Sequence, residues 1–178
     1  MQIFSEEGRT TSLGLLNYAK EYLKAYEILQ KENSIKWISP VRLYLFCHGL
    51  ELALKAFLKN KKKTIAEIKK MGHDLQKIKK ESKEMQDDKL NALTDHDWAV
   101  ISILNQYYKK KDYEYIFTGA KQYPSEKDLN KTYSKVQRFI QLINQDCSDS
   151  NKTERETRPS PSGRGAVKDE IGIKKKLG

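Results

Sequence analysis

Long apolar runs are missing from this 178-residue sequence, and none approaches the ~18 residues that a membrane-spanning helix needs. The opening MQIFSEEGRTT has neither a basic leader nor an apolar stretch. It therefore does not read as a signal peptide, and a cytoplasmic chain with no membrane partner is expected. Cysteine is scarce. Cys47 and Cys147 suit a reducing compartment, and Cys47, set among apolar neighbours, reads as a small core residue. His48, His73 and His96 lie far apart and no cysteine pair accompanies them, so the spacing offers no metal site, and neither metal nor cofactor is expected. Arginine is absent between Arg42 and Arg138.

What is present is unevenly spread. Hydrophobic residues make up 38% of the chain, dense up to Ile143 and nearly gone after it. The length suits one domain. Residues 1–146 read as a helical bundle and 147–178 as a disordered, basic tail, because SDSNKTERETRPSPSGRGAVKDE holds too little apolar area to offset the entropy of ordering it. Net charge is +10; the tail carries 8 basic and 5 acidic side chains, which leaves +7 on the bundle. That excess favours phosphate-rich partners.

The periodicity is helical throughout, and the expected fold is all-α, an antiparallel bundle of four to five helices. Leu15, Leu16, Ala19, Tyr22, Leu23, Tyr26 and Leu29 recur at three- and four-residue steps after a capping Thr11 or Ser12, down to Lys31. Ser39-Pro40 opens a second helix that runs to about Lys59 and is apolar on most sides, as a central helix should be. Thr64 to Glu67 is a capping box for a short helix ended by Gly72. His73 or Asp74 caps the next, and a frayed end or loop is expected between Glu81 and Lys89. A helix from Thr94 to about Lys110 turns Trp98, Ile101, Leu104 and Tyr108 inward. KDYEYIFTGAKQYPS reads as an extended loop, and a last helix opens at Ser125 with inner residues Leu129 to Ile143.

On the second helix, about 100° per residue places His48, Glu51 and Lys55 on one line, with Tyr44 and Leu52 beside it. A polar strip on an otherwise apolar helix is the most informative feature of the chain. Two readings stand. In one, His48, Glu51, Lys55 and His73 form a buried hydrogen-bonded network that fixes helix register, Glu51 and Lys55 being an i,i+4 pair. In the other, the same groups line a cleft that binds a phosphate or a base, with general acid–base chemistry by His48 or His73 as its active form. The lysine triplets at 61–63 and 109–111 would form a basic rim if both lay at one end of the bundle, and the tyrosines at 107, 108, 113, 115 and 123 beside one of them would suit single-stranded RNA.

Three stretches together resemble one family. Ser39-Pro40-Val41-Arg42 followed by His48-Gly49-Leu50-Glu51-Leu52-Ala53-Leu54-Lys55-Ala56-Phe57-Leu58 is similar to the H-x-x-E-L-x-L-K-A-F-L helix of HEPN-like proteins. Gly72-His73-Asp74-Leu75 matches their G-H-D-L turn, and Tyr115 to Gly119 with Pro124 resembles the connection before their last helix, with Glu114 where an arginine is usual. The resemblance spans roughly residues 11–143. It implies a HEPN-like bundle, often a homodimer, associated with nucleic acid or nucleotides in prokaryotic toxin–antitoxin or defence systems. A nucleotidyltransferase is the implied protein partner. The expected role is non-catalytic, with Tyr44, His48, Glu51, Lys55, His73 and Asp74 as the binding or structural network. Some members are metal-independent ribonucleases that use an arginine and a histidine four to six residues apart, which makes Arg42, His48 and His73 the catalytic candidates. The third reading is a helical dimerisation or docking protein. Six positions along one helix turn through about 600°, however, so Arg42 and His48 should point about 120° apart.

Overall fold

The computed structural model describes residues 6–32, 39–115 and 119–156, with side chains from 7 to 149 within those spans, and every regular element there is helical. A four-residue α1 (Glu6–Arg9) precedes α2 (Ser12–Lys31). Thr11 begins α2 by accepting the Gly14 amide on its hydroxyl at 3.0 Å, which satisfies one of the free amides of the first turn. Leu16, Ala19, Leu23 and Tyr26 of α2 are fully buried. They lie against α3 (Pro40–Asn60), where Pro40 sits at a first-turn position whose amide would have no partner in any case.

The two helices run antiparallel. Tyr26 packs on Phe46 of α3, and Tyr22, one turn earlier in α2, meets His48, two residues later in α3. Between them Gly49 lets the helices close, since a Cβ there would fall 2.6 Å from Leu23 Cγ and 3.2 Å from the Ala19 carbonyl oxygen. This crossing is the most extensive helix pair among the described residues, and it fixes the wall on which the polar strip stands.

Two shorter helices follow. α4 (Ile65–Lys70) opens on the complete Thr64–Glu67 capping box, and Gly72, at φ +58°, turns the chain into α5 (Leu75–Glu84). Asp74 caps α5 by accepting the Gln76 amide. The expected frayed stretch from Glu81 to Lys89 is partly helical instead: α5 runs to Glu84, Gln86 turns the chain at φ +48°, and a 3-10 turn covers Asp88–Ala92. That turn is held where it is because Lys89 bridges to Asp146 and Asp87 takes Lys61 at 2.6 Å.

α6 (Asp95–Tyr108) returns antiparallel to α5, with Lys83 near Asp95, Lys79 over the Trp98 ring, and the Leu75 amide on Asn105. α7 (Glu126–Glu156) then runs antiparallel to α2, joined by Gln30–Asn130 and Lys20–Asn144, and buries Phe139 against Phe57. The core therefore sits between α2, α3 and α7, with α5 and α6 packed on the remaining side of α3.

The expected boundary at residue 146 falls inside α7. Residues 147–156, read from composition as disordered tail, are helical, because Cys147 continues the inward stripe one turn beyond Ile143 and is fully buried. The remainder of the expected tail, 157–178, and positions 116–118 of the expected loop lie outside the described residues. No helix of the described residues is long and apolar enough to cross a membrane.

Candidate functional site

Glu51 is the centre of the site. It stands mid-way along α3 with its side chain only 2% exposed, and a carboxylate so placed needs partners on every lone pair it uses. Lys55, one turn on, donates to Oε1 at 2.6 Å and also to the Gly72 carbonyl oxygen at 2.9 Å. On Oε2 two donors converge: the Tyr108 hydroxyl at 2.6 Å from the end of α6, and His73 Nδ1 at 2.9 Å from the Gly72 turn. His48, one turn before Glu51, joins through Tyr108, with its Nδ1 2.8 Å from the hydroxyl oxygen.

Hydrogen-bond bookkeeping fixes where the protons are. Burial, the largest influence on the Glu51 carboxyl, pushes it up. The Lys55 charge and the hydrogen bonds from Lys55, Tyr108 and His73 together outweigh that push and hold it below the ordinary 4.5. Glu51 is thus an ionised, acceptor-only group. Tyr108 spends its one proton on Glu51, so its oxygen accepts from His48, and His48 Nδ1 must carry a proton. His73 Nδ1 carries one for the same reason. Both imidazoles are tied back through Nδ1 to one carboxylate, and no described residue hydrogen-bonds either Nε2. Burial holds the His48 imidazole below its ordinary 6.5, which outweighs the opposing pull of Glu51. Burial, the Glu51 charge and the hydrogen bond to it all push the Tyr108 phenol far up, so it stays protonated.

Aromatic rings frame the histidines. Tyr44 stacks on His48, with ring centres 5.4 Å apart and planes 8° from parallel, while Tyr22 meets the same ring edge-on at 4.5 Å. The His48 and His73 centres are 6.4 Å apart. His73 is 40% exposed at its side chain, so the network opens to solvent there. Asp74 belongs to the support: it accepts from Asn105 Nδ2 at 2.9 Å and lies 3.8 Å from the Lys109 ammonium.

The structure brings together His48, Glu51, Lys55 and His73, with Tyr44 and Asp74 alongside. Arg42 is elsewhere. It is 3% exposed, lies over the Tyr26 ring and reaches Glu126 at 3.4 Å, on the side of α3 that faces α2 and α7. Spacing in the sequence gave no metal-ligand pattern, yet folding places one ligand atom from each of His48, Glu51 and His73 within 4.8 Å of the other two. His96 stands apart, 3.3 Å from Asp128.

The lysine triplets do not meet in one rim. Lys61 lies ten residues, about 15 Å of helix, beyond Glu51, whereas Lys109 directly follows Tyr108, which touches Glu51. Lys61 is paired with Asp87 and Lys63 with Glu81. Of the neighbouring tyrosines, Tyr108 and Tyr113 are buried, Tyr107 packs between Tyr113 and Tyr123, and Tyr115 is exposed.

Sequence reasoning missed Asn105 and Tyr22 as site residues, and it set Tyr108 in an inner stripe and among the lysine-flanked tyrosines rather than on Glu51. Tyr108 and Tyr22 read as ordinary members of apolar stripes, and only the docking of α2 and α6 on α3 turns their polar or ring edges toward the histidines. A buried tyrosine needs a hydrogen-bond partner, and that was the one available signal. Comparison of the chain with protein-family models, curated proteins and solved structures finds no match.

Proposed function

We propose that this chain is a HEPN-like module of a prokaryotic toxin–antitoxin or defence system. It binds RNA or a nucleotide, without catalysis of its own, in the cleft between α3 and the Gly72 turn. The observation that carries this reading is the Glu51 network: it joins the two stretches of strongest resemblance, His48-x-x-Glu51 with Lys55 and Gly72-His73-Asp74-Leu75, into one half-open polar site. Tyr44, stacked on His48, offers a neighbouring aromatic face, and Lys109 a cation beside it. The exposed Tyr18, Ile28 and Val41 supply apolar surface for a homodimer, and a nucleotidyltransferase is the expected protein partner. The burial of Arg42 among Tyr26 and Glu126 speaks against an Arg42–His48 ribonuclease.

Fluorescence anisotropy with labelled single-stranded RNA, in buffer containing a chelator, tests the reading. Binding should weaken steeply with salt, in proportion to the phosphates neutralised, and weaken further in His73→Ala. Absence of binding at low salt overturns it.

A second reading has its own observation. Two imidazoles held through Nδ1 with no described partner on Nε2 are poised as an acid–base pair, which would make the chain a metal-independent endoribonuclease through His48 and His73. Cleavage of labelled RNA by the wild type that disappears in His48→Ala would establish it in place of the non-catalytic role.

A further inference from the structure

We infer that His48, Glu51 and His73 form a binding site for one divalent transition-metal ion of the zinc class. The inference uses the same side chains as the proposed cleft but does not rest on RNA binding.

The donor set comes first. Two imidazole nitrogens and one carboxylate oxygen are a ligand combination that zinc takes, with metal–ligand distances of about 2.0–2.2 Å. At those distances, neighbouring ligand atoms in a tetrahedron stand about 3.4 Å apart. Here His73 Nδ1 and Glu51 Oε2 are 2.9 Å apart, and an atom from each of the three residues lies within 4.8 Å of the others. The atoms have closed around shared protons where an ion would hold them slightly wider or, for the longest separation, somewhat nearer. The Tyr108 hydroxyl, 2.8 Å from His48 Nδ1 and 2.6 Å from Glu51 Oε2, bridges the two and must swing aside for an ion to bind both, which leaves the fourth position to water.

The outer support is already built. Lys55 occupies only Oε1 of the carboxylate and is itself anchored on the Gly72 carbonyl, so it orients Glu51 without taking the oxygen that faces the histidines. The proton balance also works: once one ring nitrogen is coordinated, a neutral imidazole keeps its single proton on the other. Each imidazole shifts its proton to the far nitrogen rather than losing it, so the ion brings its full charge to the Glu51 carboxylate, and binding must weaken as pH falls, because protons compete for the same nitrogens. Access is through His73, whose side chain is 40% exposed.

Isothermal titration of the full, chelator-treated chain with zinc chloride, in the absence of nucleic acid, tests the site. One ion per chain is expected. Loss of an outer-shell partner alone costs about 10- to 100-fold in affinity, so His73→Ala and His48→Ala, which remove ligands, should lose more, while His96→Ala binds as the wild type. His73 sits in a half-buried turn, and thermal unfolding of His73→Ala verifies that its fold is intact. Wild type that takes up no zinc at millimolar concentration, or zinc binding unchanged in a folded His73→Ala, overturns the site. Either result leaves the RNA assay, run with chelator, to stand or fall separately.

Discussion

The Tyr108 hydroxyl donates to Glu51 Oε2 at 2.6 Å, joining the end of α6 to the middle of α3 across the core. The same oxygen accepts from His48, so removing it leaves the half-buried His48 Nδ1–H without its partner and takes one of three donors from the buried Glu51 carboxylate. Leaving a buried polar group unsatisfied costs about 1–3 kcal/mol. Tyr108→Phe should therefore destabilise the chain by roughly that amount, read as a lower urea midpoint with an unchanged slope. A variant as stable as the wild type would mean that the phenol is not the link between His48 and Glu51.

Glu51→Gln should cost more than Lys55→Met. Glu51 carries three donors on a buried carboxylate, and neutralising it leaves the Lys55 ammonium, 12% exposed, without its charge partner. Breaking a buried pair by removing one partner costs about 3–5 kcal/mol. Lys55→Met leaves the carboxylate with Tyr108 and His73. Urea unfolding of both variants and of the double variant separates the terms, and equal losses in the two single variants would contradict this ranking.

Acid should loosen the molecule in two stages. Burial lowers the His48 value below 6.5 in the folded chain, so the unfolded chain binds protons first as pH drops. Stability from a neutral His48 is complete above about 6.5 and is lost progressively as pH falls below it. Glu51, lowered from 4.5, adds a second loss beginning below that value, as pH falls through the folded carboxyl's own range. Urea midpoints between pH 8 and pH 4 should decline accordingly, and His48→Gln should flatten the upper limb. A curve that is level through that limb in the wild type would refute the account.

The helices were legible because each announces itself locally: Thr11, Thr64 and Thr94 cap their first turns as their sequences suggest, and the inward stripes of α2, α3 and α6 repeat at helical spacing. The strip of His48, Glu51 and Lys55 was legible for the same reason, since one helix suffices to align it. What needed tertiary structure was everything contributed by another element. Tyr108 reaches Glu51 only because α6 docks on α3, and the two lysine triplets part because the C-terminal ends of α3 and α6 lie at different levels. Composition misled at the end of α7, where polar residues surround a single buried Cys147.

Gly49 gives a test of the α2–α3 crossing that is independent of the site. Alanine there is favoured by helix propensity over glycine by about 1 kcal/mol. Its Cβ, however, would lie 2.6 Å from Leu23 Cγ and 3.2 Å from a backbone oxygen of α2, closer than packed atoms tolerate. Overpacking of a tight core costs about 1–3 kcal/mol, and the backbone contact leaves little room to relax. Gly49→Ala should lower the thermal midpoint; a rise would show that the helices stand further apart than this crossing requires.

The last turns of α7 can be tested by ending the chain after Asp146. Composition alone assigns nothing beyond that point to the fold, so it would expect unchanged stability. The structure expects a loss, because Cys147 is fully buried, with burial pushing its thiol up to about 11 against a hydrogen bond from Ser12 at the start of α2. Burying a side chain of this kind contributes about 1–2 kcal/mol, and the truncation also removes the helix that follows. Cys147→Ala in the full chain isolates the side chain from the helix: it should show part of the loss, and the truncation the whole. If the truncated chain unfolds at the same urea concentration as the full one, residues 147–156 add nothing to the bundle and α7 ends, in energetic terms, at Asp146.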